Sequence, residues 1–127
     1  MSKASVLVVD DDVQVCRILH RMVSGQQYQV KMVPSVADAV AAIEQSPFDL
    51  YVVDYNLTDG TGFDVADRIR SKGSEAPIIL LSGCDPTTIA LRAAKLGIAE
   101  IIQKPFSRVV IFSALKQALG VPRVALA

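Results

Sequence analysis

The chain has 127 residues, 51% of them hydrophobic, and 13 lysines and arginines balance 13 aspartates and glutamates. That is the size of one compact domain with ample material for a core, and a formal net charge of zero argues against nucleic-acid or membrane-surface binding through bulk charge. No apolar stretch reaches the ~20 residues of a membrane helix, the amino terminus lacks a signal peptide's apolar region, and Cys16 and Cys84 have neither metal-ligand spacing nor a disulfide framework, so a cytoplasmic domain is expected.

Taken in chain order, residues 6–9 form an apolar run that ends in Asp10, Asp11 and Asp12. Asp12 suits the N-cap of a first helix, whose buried stripe is Val15, Ile18, Leu19, Met22 and Val23, with Gly25 ending it. Tyr28–Val33 alternates β-branched and polar residues and predicts a half-exposed second strand. Ser35 followed by Asp38 predicts a capping box for a helix that buries Val36, Ala39, Val40 and Ile43 and stops at Pro47. Residues 50–53 are the third strand, ending in Asp54. Residues 59–62 predict a turn, and the next helix points Phe63, Val65, Ala66 and Ile69 inward, with Gly73 beyond its end. A fourth strand follows Pro77 and runs into Ser82; Pro86 opens a fourth helix that reaches about Leu96. Glu100–Gln103 is the fifth strand, followed by Lys104, and Ser107 caps a last helix burying Ile111, Leu115 and Leu119, closed by Gly120 and Pro122.

Strict alternation of strand and helix predicts an α/β domain: a doubly wound, five-stranded parallel sheet in the order 2-1-3-4-5 with helices on both faces. The domain is expected over residues 1–120, with 121–127 a tail or linker stub. Such sheets place their ligands at the carboxyl ends of the strands, and there this sequence gathers Asp10, Asp11, Asp54, Ser82 and Lys104. Carboxylates about 4 Å apart repel by about 4 kcal/mol at an effective dielectric of 20, so their cluster calls for a cation or a raised pKa. An all-oxygen set suits Mg²⁺. Asp54, alone at the end of the central strand, is the candidate nucleophile, because carboxylates form aspartyl-phosphates. Lys104 would set a point charge, and Ser82 a hydrogen bond, against phosphoryl oxygens.

The series Val8-Val9-Asp10-Asp11-Asp12, Asp54 to Gly60, Leu81-Ser82-Gly83 and Lys104-Pro105-Phe106, in that order, resembles the receiver domain of two-component response regulators from Ala4 to about Leu119. The resemblance implies the flavodoxin-like fold and makes Asp54 the acceptor of a phosphoryl group from a histidine kinase or histidine phosphotransfer protein. It also makes Asp10, Asp11, Asp54 and the Asn56 backbone carbonyl the ligands of Mg²⁺. Ser82 and Lys104 become the groups that grip the phosphoryl group, and Lys104-Pro105 is expected to be a cis peptide. An effector protein or domain would read the state, and the face of the fourth helix, fifth strand and fifth helix would bind a partner or form a homodimer. By this reading the chain assists its own phosphoryl transfer and slow autodephosphorylation but is not an enzyme.

The sequence departs from the family in places. Ile101 stands where a switch aromatic usually lies, so signalling is expected to pass through the 82–86 loop and the fourth helix. Thr58 replaces a proline, Gly83 leaves room beside the hydroxyl residue, and Asn56 and Cys84 offer no acid to speed hydrolysis. Asp59-Gly60 reads as a turn, and His20, off its helix's apolar stripe, as exposed. Two other functions compete: a phosphorylation-independent interaction module, left open by Ile101, and an aspartate-nucleophile phosphatase. Against the phosphatase, the residue two positions before Asp59 is Leu57, and no cap domain would fit.

Overall fold

The structure is a computed structural model that describes residues 4–23 and 28–119. Gly25, Gly120, Pro122, the 121–127 tail and the side chains of Met22 and Val23 lie outside the described residues. Strands β1 (Ala4–Val9), β2 (Tyr28–Val33), β3 (Leu50–Asp54), β6 (Ile78–Ser82) and β7 (Glu100–Gln103) form one parallel sheet in the order β2-β1-β3-β6-β7. In chain order of the parallel strands this is 2-1-3-4-5. Between β3 and β6 lies a feature the sequence did not predict, an antiparallel ribbon of β4 (Asn56–Leu57) and β5 (Gly60–Thr61). Two-residue strands are too short to show a periodicity of two, so only their turn residues were legible.

Five helices cover the sheet: α1 (Val13–Val23), α2 (Val36–Gln45), α3 (Gly62–Ser71), α4 (Pro86–Lys95) and α5 (Arg108–Ala118). Strand side chains alternate between faces. Leu7, Val9, Tyr51, Val53, Ile78 and Leu80 meet Ala39, Ala42 and Ile43 of α2, Phe63, Val65, Ala66 and Ile69 of α3, and Ile89 and Ala93 of α4. Val6, Val8, Leu50, Val52, Ile79 and Leu81 meet Val15 and Leu19 of α1 and Ile111, Ala114 and Leu115 of α5. Full burial of one such aliphatic side chain stabilises by about 1.5–3 kcal/mol, and the two layers lock the strand register. Ile101, partly buried, packs against the first of these layers.

Asp12, Ser107 and Asp85 cap α1, α5 and α4 by accepting from the backbone N–H groups of Gln14, Val110 and Thr87. At α2 only half of the expected box forms: Ser35 Oγ accepts from Asp38 N–H, while the N–H groups of Val36 and Ala37 go to the Asp59 carboxylate. The Asp64 carboxylate accepts from Thr61 N–H at the start of α3. At the edge away from the strands' carboxyl ends, Arg70 donates to the carbonyls of Ser74, Ala76, Leu96 and Gly97. This clamp ties the end of α4 to the loop entering β6.

Candidate functional site

Each candidate side chain stands where an apolar strand stops. Asp54 is the last residue of β3, opposite Leu81, and Ser82 is the last of β6, opposite Gln103. The ladder continues one residue further: Asp10 N–H donates to Val33 O (3.0 Å), Tyr55 N–H to Leu81 O (2.7 Å) and Lys104 N–H to Ser82 O (2.7 Å). The sheet's hydrogen-bond ladder thus extends into the backbone of the site. Lys104-Pro105 is a cis peptide, as expected.

Asp10 and Asp54 are buried, at 2% and 5% exposure, at the ends of strands whose preceding side chains are apolar. Lys104 Nζ lies 3.3 Å from Asp10 Oδ2 and 3.3 Å from Asp54 Oδ1, bridging strands at opposite ends of the chain. Asp11 is exposed, yet one carboxylate oxygen from each of Asp10, Asp11 and Asp54 lies within 4.8 Å of the others. Among the described residues, one ammonium pairs with two of these three carboxyls. Burial pushes the Asp10 carboxyl up to about 6; the Asp12 N–H that it accepts and Lys104 oppose that shift, and Asp54 adds to it. Burial would lower the Lys104 pKa, but Asp10 and Asp54 outweigh it and raise it, so the ammonium stays charged. The donor set is all oxygen, more acidic than its one cation can neutralise, and open on the Asp11 side; it fits Mg²⁺.

Ser82 is fully buried beside this cluster, but its hydroxyl faces backbone: Oγ accepts from Cys84 N–H at 3.0 Å. Gly83 next to it has open space where a Cβ would stand. Asn56 is exposed at the start of the β4–β5 ribbon. Cys16, near the site from the α1 side, directs its Sγ at the Asp10 carbonyl (3.4 Å), and burial followed by the three neighbouring aspartates pushes its thiol up, away from thiolate chemistry. His20 is exposed, and Thr58 and Asp59 are exposed at the ribbon's turn.

Other residues that shape the site carried no chemical signal in the sequence. A Cβ on Gly62 would lie 2.7 Å from both Asp54 O and Leu80 Cδ1, so only glycine lets α3 begin this close beneath Asp54. Tyr55, next to Asp54, packs edge-on against Phe63 (5.3 Å between centroids), and the Arg92 guanidinium of α4 lies 5.5 Å from the Phe63 ring while pairing with Asp67. A contact path thus joins the residue after Asp54 to α4. A glycine before Phe63 and an arginine on a polar helix face were the traces, and neither can be told from ordinary packing in a sequence.

The response regulator receiver domain family model matches residues 6–116. The chain belongs to that family. Among curated relatives, the acid tolerance regulatory protein ActR of Rhizobium meliloti is 34% identical over 116 residues, covering 91% of this chain and 60% of ActR. The photosynthetic apparatus regulatory protein RegA of Rhodovulum sulfidophilum is 37% identical over 101 residues, covering 80% of this chain and 55% of RegA. The receiver domain thus spans a little over half the length of these relatives. The non-phosphorylated HemR receiver domain from Leptospira biflexa superposes with a TM-score of 0.87 at 30% identity, over 93% of this chain and 95% of that one. The sheet order and helical layers are those of the flavodoxin-like receiver fold.

Proposed function

We propose that this receiver domain accepts a phosphoryl group on Asp54 from a phosphohistidine of a histidine kinase or histidine phosphotransfer protein, and so switches an effector protein or domain. Lys104 carries this reading: it is held between Asp10 and Asp54 at 3.3 Å from each, beside a third carboxyl, in a crevice where a strand terminus presents the nucleophile. Asp10, Asp11, Asp54 and the Asn56 carbonyl would hold Mg²⁺, which supplies charge neutralisation between the two anions as they meet. An Asp54 carboxylate oxygen forms a bond to phosphorus as the phosphorus–nitrogen bond to the donor imidazole breaks, and the imidazole leaves. Lys104 then turns its charge to the phosphoryl oxygens. The Ser82 hydroxyl, which now donates to Cys84 O (3.4 Å) while accepting from Cys84 N–H, turns its O–H to a phosphoryl oxygen and draws the 82–86 loop inward.

With Ile101 in the strand, that loop and the Tyr55–Phe63–Arg92 contacts are the routes by which α4 senses the site. The output face is α4, β7 and α5, where Leu91 is 76% exposed; it receives the effector or a second copy of the chain. No described helix is long and apolar enough to cross a membrane, and the proposed setting is the cytoplasm. Autodephosphorylation is slow, because Asn56 and Cys84 supply no general base.

Incubation with acetyl phosphate, with Mg²⁺ and with EDTA, tests the reading. A receiver gains one acid-labile phosphoryl only when Mg²⁺ is present. A phosphatase releases inorganic phosphate catalytically, and a phosphorylation-independent module does neither. Either of the last two results ends the proposal.

A further inference from the structure

The turn that follows Asp54 is fastened to a helix on the neighbouring β-α unit. Thr58 and Asp59 form the two-residue turn of the β4–β5 ribbon. The Asp59 carboxylate accepts from Val36 N–H at Oδ1 (2.8 Å) and from Ala37 N–H at Oδ2 (3.0 Å), at the first two residues of α2. These bonds hold the carboxyl below the usual carboxylate range. The ribbon also packs on the same helix, since a Cβ on Gly60 would stand 3.1 Å from Val36 Cγ2. Its other strand is fixed at β5, where Thr61 N–H donates to Asp64 Oδ2 (2.9 Å) and Gly62 N–H donates to Tyr55 O (2.8 Å).

The ribbon's register gives this fastening a consequence. Leu57 pairs with Gly60 and Asn56 with Thr61, while the Gly62 N–H to Tyr55 O bond closes the next pair. In an antiparallel ladder hydrogen-bonded pairs alternate with non-bonded ones. Asn56–Thr61 is therefore a non-bonded pair, and the Thr61 N–H is indeed spent on Asp64. The Asn56 carbonyl is directed out of the ribbon, where no ladder bond fixes it. Its direction depends on how the ribbon is anchored.

We propose that Asp59 is a positioning residue for the cation: by pinning the ribbon to the amino terminus of α2, it aims the Asn56 carbonyl at the metal position. The inference rests on the reading of that carbonyl as a Mg²⁺ ligand. Asp59 touches no ligand itself and acts through Asn56. Groups that orient a metal ligand from behind are worth about 10–100-fold in metal affinity.

Mg²⁺ alone is the probe, titrated by calorimetry and by amide shifts of Asn56 and Leu57, alongside the Tm of the cation-free protein. The variants are Asp59→Ala, Asp59→Asn and Ser35→Ala. Ser35→Ala removes another cap of α2, the bond from Asp38 N–H, and leaves the ribbon alone. Asp59→Asn removes the same charge as Asp59→Ala but keeps an oxygen that can accept from α2, so the difference between the two is positional. The expected result is Mg²⁺ binding weakened about tenfold in Asp59→Ala, less in Asp59→Asn and not in Ser35→Ala, although Ser35→Ala and Asp59→Ala both lower Tm. Equal Mg²⁺ affinity in Asp59→Ala and Ser35→Ala overturns the positioning role while the cation site stands. Failure of the wild-type protein to bind Mg²⁺ overturns both.

Discussion

Replacing Asp10 by asparagine should make the cation-free domain more stable, and by an amount that depends on pH. The Asp10 carboxyl is raised from 3.8 to about 6 in the folded protein, chiefly by burial. A raised carboxyl binds its proton in the folded state throughout that window. Its contribution to stability is therefore fully present below about pH 4 and is lost as pH rises through about 6. The shift of roughly two units corresponds to about 3 kcal/mol at neutral pH. The asparagine amide would keep an oxygen for Asp12 N–H while removing the charge. Urea unfolding of both proteins in EDTA, from pH 4.5 to 7.5, measures the difference directly, and titrating groups remote from Asp10 cancel in it. The stability gap should favour the variant increasingly as pH rises through about 6 and then level off, at up to about 3 kcal/mol, and saturating Mg²⁺ should close it by stabilising the wild type alone. A gap that stays flat with pH would refute the claim that burial of Asp10 is uncompensated.

Gly62→Ala forces a Cβ to 2.7 Å from Asp54 O and Leu80 Cδ1 and should cost about 1–3 kcal/mol by thermal unfolding, whereas Gly83→Ala, with open space, should cost little; equal melting temperatures would contradict the contact. Lys104→Ala removes the cation that competes for Asp10 and Asp54, so Mg²⁺ affinity measured by titration should rise about tenfold while phosphorylation by acetyl phosphate falls; weaker Mg²⁺ binding would show that the ammonium does not compete. Arg92→Ala breaks an exposed pair with Asp67 and the contact with Phe63, worth together about 1 kcal/mol. Its global stability should fall by no more than that, while hydrogen exchange in α4 quickens; unchanged exchange would remove Arg92 from the path between Asp54 and α4.

Much of this molecule could be read in the sequence because its physics is local. Buried parallel strands are continuous apolar runs, so the ends of β1, β3, β6 and β7 showed as abrupt changes to Asp10, Asp54, Ser82 and Lys104. Single-residue capping was equally plain at Asp12 and Ser107, where an acceptor precedes its helix. What stayed hidden depends on contacts between distant segments. Asp59 reads as a turn residue from its neighbours, and only the approach of α2, 22–23 residues earlier, makes it a cap. For the same reason the expected box at Ser35 was half right: Ser35 Oγ caps Asp38 N–H as expected, while the N–H groups of Val36 and Ala37 find their acceptor across the fold in Asp59. Gly62 carries no mark of the Asp54 carbonyl above it, and the direction of the Ser82 hydroxyl, toward Cys84 N–H, is set by loop geometry that composition does not encode.

The measurement that bears most directly on the central claim is intact-mass spectrometry after transfer from a phosphohistidine donor in the presence of Mg²⁺, followed by peptide mapping. The account predicts a single phosphoryl adduct on Asp54, absent without Mg²⁺ and absent from Asp54→Asn. An adduct that persists in Asp54→Asn, or none with any histidine donor, would contradict it.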